Sequence, residues 1–172
     1  MSMPSPYDVV NAEYFTAGAL GEPGQRVFYL QCRGDGSLVT LRCEKQQVAA
    51  LAESFGRILP DLPERRLGPL PTELELQFPV EAAFVVGGIG LGHDAEHDRV
   101  LLLFEELVIA DEDEPTPDAR TARWVLTREQ VHAFIPRATD LVVGGRPLCP
   151  LCGRAVDADG HTCIKTNGHH PH

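Results

Sequence analysis

The sequence predicts an α+β fold in which a strand–strand–strand–helix unit occurs twice, the strands forming one antiparallel sheet with both helices on one face. Three observations support this expectation. Two helical stripes share one spacing: Val48, Leu51, Ala52, Phe55, Ile58 and Leu59 are spaced identically to Val131, Phe134, Ile135, Ala138, Leu141 and Val142. Each places apolar residues on one face at a period of 3.6. A glycine-punctuated segment precedes each stripe, Phe15-Thr-Ala-Gly18-Ala-Leu-Gly21 and Phe84-Val-Val-Gly87-Gly-Ile-Gly90, and each is followed by a strand opening on Arg-Val, at Arg26 and at Arg99. The chain ends in a cysteine-rich segment, which adds a small zinc-binding tail.

Residues 1–13 read as an extended arm, since Pro4 and Pro6 oppose regular structure. Residues 14–145 form the duplicated body, with repeats at about 14–60 and 83–145. In the first repeat, strands at Arg26–Leu30 and Leu38–Cys43 flank Arg33-Gly-Asp-Gly36-Ser, a turn rich in residues that tolerate positive φ. The linker, residues 60–79, holds Pro60, Pro63, Pro69, Pro71 and Pro79 and reads as an extended connection. In the second repeat, strands at Arg99–Leu103 and Thr121–Leu126 lead into the second helix, where Thr127 and Gln130 form a capping box and Leu126 with Val131 a hydrophobic staple. Gln47 matches Gln130 at the start of the first helix, behind the weaker N-cap Glu44. Pro136 is expected to kink or split the second helix. The acidic stretch Asp111 to Arg120 reads as an exposed loop where the first repeat has a tight turn.

The chain's 172 residues suit one principal core. A formal charge of -10 opposes phosphate backbones, so nucleic-acid binding is not expected. No apolar run approaches the length of a membrane span, and Met1–Pro6 lacks a basic leader and an apolar core, so a cytoplasmic location is expected. The odd count of five cysteines fits a reducing compartment better than a disulfide framework; Cys32 and Cys43 lie out of register for a bridge.

The tail, residues 146–172, carries the strongest chemical motif. Cys149 and Cys152, separated by two residues, suit a knuckle in which both sulfurs face one tetrahedral ion, and Gly153 permits the chain to turn back. His161 and Cys163, two apart, would share one side of an extended segment and close the site. Four such ligands with no open position describe one structural zinc ion. His169, His170 and His172 offer substitutes for His161. A His-Asn-His nuclease reading of His161, Asn167 and His170 fails because the three crowd together without room for the intervening elements.

Elsewhere, Gly87-Gly88-Ile-Gly90-Leu-Gly92 leads into the polar turn His93-Asp-Ala-Glu-His-Asp98 and not into a helix, so it reads as a bulged strand, not a phosphate loop. His93, Asp94, Glu96, His97 and Asp98 are candidate metal or acid–base groups, though a polar turn needs no such role.

The segments Phe15-Thr-Ala-Gly18, Gly21-Glu-Pro-Gly-Gln-Arg26, Glu44-Lys-Gln-Gln-Val48-Ala-Ala-Leu51-Ala, Cys149-Pro-Leu-Cys152-Gly and Gly160-His161-x-Cys163 together resemble an actinobacterial family of uncharacterised repeat proteins. The resemblance implies genes placed near those for a histidine-phosphatase-like and a lipid-kinase-like protein, which makes proteins encoded by neighbouring genes the candidate partners. It implies no activity. Two functions follow as expectations. The first is a non-catalytic protein-interaction or adaptor module. The alternative is a small-molecule or phosphoryl-ligand enzyme or binding protein with a site at the repeat interface, between Gly21–Arg26 and Gly90–Asp98, where Arg26 and Arg99 would meet an anion.

Overall fold

The computed structural model describes residues 4–22 and 24–144. Three strands, β1 (Ala12–Leu20), β2 (Val27–Gly34) and β3 (Ser37–Cys43), lead into helix α1 (Lys45–Ile58) and a short 3-10 turn at Leu59–Asp61. Three more, β4 (Ala82–Asp94), β5 (Arg99–Glu106) and β6 (Thr121–Leu126), lead into helix α2 (Arg128–Val143). The architecture is α+β: one six-stranded sheet in the order β1-β2-β3-β4-β5-β6.

The sheet is mixed, which corrects the expectation of a purely antiparallel one. Its hairpins are antiparallel, but β3 and β4 pair in parallel, Thr40 opposite Ala82 and Arg42 opposite Val85. The reason is the crossover between them. A parallel join needs a dozen or more residues, and α1 with the proline-rich segment supplies them. A second parallel contact closes the two ends of the sheet: Val9 N–H donates to the Arg123 carbonyl and Val125 N–H to the Val9 carbonyl, each at 2.9 Å. The N-terminal arm is fastened further by Trp124 Nε1 donating to the Tyr7 carbonyl at 3.1 Å and Arg123 N–H to Asp8 Oδ1 at 2.8 Å.

Alternation along each strand sends one set of side chains inward. Phe15 and Ala17, Leu30 and Cys32, Val39 and Leu41, Phe84 and Val86, Leu102 and Phe104, and Trp124 and Leu126 are all buried on that face. Both helices seal it, and their sequence-predicted stripes form the seal, with Val48, Leu51 and Phe55 from α1 and Val131, Phe134 and Ala138 from α2 in the same core. Phe15 and Phe134 stack at 4.7 Å, and Phe55 meets Phe134 edge-on at 5.5 Å. Burying several such rings contributes roughly 2 kcal/mol each from area alone.

Gln47 and Gln130 each tie a helix start to the sheet. Gln130 Oε1 accepts the Thr127 N–H at 2.9 Å while its amide donates to the Ala12 carbonyl at 2.8 Å; Gln47 Oε1 accepts the Glu44 N–H at 2.8 Å while its amide donates to the Val86 and Gly87 carbonyls at 3.2 Å. Each glutamine caps its helix and anchors it over a strand. Helix α2 is not split at Pro136 and continues from Arg128 to Val143. The lost backbone bond is outweighed by burial on both sides of it, at Phe134 and Ala138.

The proline-rich segment covers the outer face of β1–β3. A cross-strand row of Thr16, Gln31 and Thr40, all buried, faces it. Gln31 Oε1 accepts the Gln77 N–H at 2.8 Å and its amide donates to the Gln77 carbonyl at 2.9 Å and to Thr40 Oγ1 at 3.1 Å. Thr16 and Tyr14 hydroxyls donate to the Leu74 and Glu75 carbonyls. Gly18 makes room for Leu76: a Cβ there would overlap the leucine side chain.

Candidate functional site

The β4–β5 turn is built around Asp98, whose φ of 52° lets it close the reversal. Its carboxylate gathers three donors from three parts of the chain. Arg65 of the linker reaches Oδ2 at 2.6 Å, Arg128 of α2 reaches Oδ1 at 2.8 Å, and His93 Nε2 lies 3.1 Å from Oδ1. Arg65 also holds Glu129 at 2.8 Å, and Arg128, 6% exposed, donates to the Pro63 carbonyl at 2.6 Å. Burial pushes the Asp98 carboxyl up, but the hydrogen bonds from His93, Arg128 and Arg65 outweigh it and hold the group well below the usual carboxylate range. Glu129, bonded first by Arg65, is held at about 2 against an ordinary 4.5.

These donors are spent on Asp98, Glu129 and the Pro63 carbonyl, so the cluster is a clamp joining hairpin, linker and helix start. It makes acid stability predictable. A carboxyl with a lowered folded pKa adds stability that is complete above its unfolded pKa and is lost as pH falls through the folded one. Stability should therefore fall as pH drops from about 4.5 towards about 2, where Glu129 protonates. In Glu129→Gln that slope should flatten, with lower stability at pH 7; chemical denaturation across this pH range measures both.

The sequence-predicted candidates separate. Gly21 lies in the turn after β1 with φ 110°, whereas Gly90 lies within β4 opposite Leu103, so the two glycine segments are not equivalent turns. The thirteen-residue length of β4 and its bulge between Val86 and Gly88 displace the second set. Arg26 donates to the Gly144 carbonyl at 2.7 Å, a cation at a helix C-terminus. Arg99 donates to the His97 and Asp98 carbonyls of its own turn. Neither faces the other across a cleft; β3 and β4 lie between their strands. Asp94 and His97 pair at 2.8 Å, with Glu96 beside them on the exposed turn. The residues expected to hold zinc, Cys149, Cys152, His161 and Cys163, lie outside the described residues. Cys32 and Cys43 are buried free thiols, and desolvation pushes Cys43 up to about 12 and Cys32 higher still.

A cavity of about 240 Å³ between α1 and β4 is lined by Gln47, Ala50, Leu51, Ser54, Gly87, Ile89 and Leu91, with no charged group among them.

The outer face of β4–β6 differs sharply from that of β1–β3. Gly88, Gly90 and Gly92 stand opposite Glu105, Leu103 and Leu101 on one side of the sheet. Among the described residues nothing lies within 4 Å of where a Cβ would stand at Gly88 or Gly92, and at Gly90 the nearest atom is Leu103 Cβ, at an ordinary 3.6 Å. Leu103 is 54% exposed there, and the loop after β5 exposes Leu107 and Ile109. The bulge expected of this glycine-rich strand is present between Val86 and Gly88, and the face that the three glycines share is an addition to that expectation. The spacing i, i+2, i+4 could have revealed it.

Among the described residues no helix is long and apolar enough to cross a membrane. Searches of curated proteins and of solved structures return no match. Residues 7–163 match a family model described as protein of unknown function (DUF3090). Covering most of the chain, that match makes this protein a member of the DUF3090 family.

Proposed function

We propose that the protein is a non-catalytic protein-interaction module whose partner lays an extended segment across the outer face of β4–β6. The tail, in this reading, holds one structural zinc ion through Cys149, Cys152, His161 and Cys163. The observation that carries the interaction is the glycine row. Glycine inside a strand costs about 0.5–1 kcal/mol in conformational freedom, and at Gly88 and Gly92 neither a neighbouring atom among the described residues nor a positive φ requires it. A segment resting on the sheet would require it. The same molecule supplies the pattern: Leu76 rests over Gly18 on β1, where a Cβ would collide. Exposed Leu103 provides the apolar area, and the ion-paired state of the Asp98 cluster speaks against catalysis there. The candidate partners are proteins encoded by neighbouring genes.

Gly92→Thr separates fold from function. It should stabilise the isolated protein by about 0.5–1 kcal/mol, read as a raised Tm, and weaken partner capture at least tenfold. Leu103→Glu, at an exposed position, should leave Tm within about 2 °C and also abolish capture. Affinity purification with wild type and both variants, each against the proteins encoded by neighbouring genes, tests this. Equal retention of one partner by all three would remove the case for this face. Native mass spectrometry of untagged protein tests the metal: one zinc per chain is expected.

A further inference from the structure

We propose that the C-terminal tail docks back onto the groove between α1 and α2, inserting Leu148 and Leu151. The groove, about 280 Å³, is lined by Ala49, Ala52, Ile135, Val142 and Val143, with Glu53 and Thr139 at its rim. Val143, in the last turn of α2, is 41% exposed. This apolar strip has no cover among the described residues, yet it lies where the chain leaves the fold.

Three observations select the tail as occupant. The exit is fixed: Arg26 holds the carbonyl of Gly144 at 2.7 Å, one residue past Val143 of the groove lining. The reach fits. From Ile135 to Val143 the strip runs roughly 12 Å along the helix, and the chain from Val143 to Leu148 extends up to about 16 Å. The composition fits as well: Pro147, Leu148, Pro150 and Leu151 follow within a few residues, and Arg146, just before them, is opposite in charge to Glu53 at the rim. A second copy could also supply apolar side chains. The tether decides against it, because a short linker raises the effective concentration of the tail to about millimolar.

This placement rests on the proposed zinc knuckle only in that Leu148 and Leu151 flank Cys149 and Cys152, so an ion would present both leucines from one rigid turn. Methyl NMR on the full-length chain tests the docking, with native mass spectrometry on the same sample counting zinc. Cross-peaks between the methyls of Leu148 or Leu151 and those of Ile135, Val142 and Val143 are expected. In Leu148→Ser/Leu151→Ser the Ile135, Val142 and Val143 methyl shifts should move, while those of Val100 and Leu102, in the sheet core, should stay. Absence of such cross-peaks, or their appearance only between differently labelled chains in a mixed sample, overturns the docking. Zinc without cross-peaks leaves the knuckle standing and removes the docking; cross-peaks without zinc do the reverse.

Discussion

Arg128→Ala should lower stability by about 3 kcal/mol, the lower end of the range for breaking a buried ion pair, and lower Tm by about 6–12 °C. The side chain is almost wholly covered and connects two separate parts of the chain, Asp98 in the β4–β5 turn and the Pro63 carbonyl in the linker. Its loss leaves that carbonyl without its donor and a half-buried carboxylate with two donors in place of three. Asp98 keeps Arg65 and His93, which is why the loss stays near the lower end. Arg128→Lys should recover only part of it, because one ammonium replaces a planar fork that reaches Asp98 through Nε and Pro63 through Nη1. Thermal and urea denaturation of the two variants would measure the difference. If Arg128→Ala melted with wild type, the clamp would have no energetic role.

Gly34→Ala should be comparably damaging, at about 3 kcal/mol, for a steric reason. A Cβ at Gly34 would overlap the Asn11 carbonyl oxygen and lie 2.8 Å from Val9 Cγ1. Backbone cannot swing aside as a side-chain tip can. The methyl should push the arm off the end of β2 and open the bridge between Val9 and Trp124 that joins the two ends of the sheet. The adjacent turn reinforces that junction, since Asp35 accepts the Val10 N–H at 2.8 Å and the Asn11 side-chain amide at 2.9 Å. Hydrogen exchange at the Val9 and Val125 amides should accelerate with the loss of Tm. Gly36→Ala is the contrast. It has φ 80° and, among the described residues, no atom within 4 Å of a new Cβ, so only the strain of a left-handed residue, about 1–2 kcal/mol, is expected.

The parts of this fold that were legible in the sequence are those fixed by near neighbours. Helical stripes, the Thr127–Gln130 capping box and the Asp35-Gly36 turn depend on residues a few positions apart, and they stand where the pattern put them. The parallel join of β3 to β4 was not legible, because it is set by the route of a long crossover and leaves no local period. Thr16, Gln31 and Thr40 were hidden for a related reason. Polar residues alternating in a strand read as solvent-facing, and only the path of residues 74–77 shows that they serve as hydrogen-bonding partners for another segment. Arg26 and Arg99 looked like anion ligands because arginine at a strand end carries no mark of its partner; here the partners are backbone carbonyls. Pro136 shows the converse: a residue that can end a helix lies within one that burial on either side keeps continuous.

The two sheet faces give the functional account its centre, one side covered by the chain itself and the other, among the described residues, left bare over three glycines. Hydrogen exchange of the complex with a captured partner tests this most directly. Slowed exchange confined to residues 88–92 and 101–105, relative to the free protein, is the result this account predicts. Protection confined to the turn at residues 93–98, with β4 and β5 exchanging as in the free protein, would contradict it.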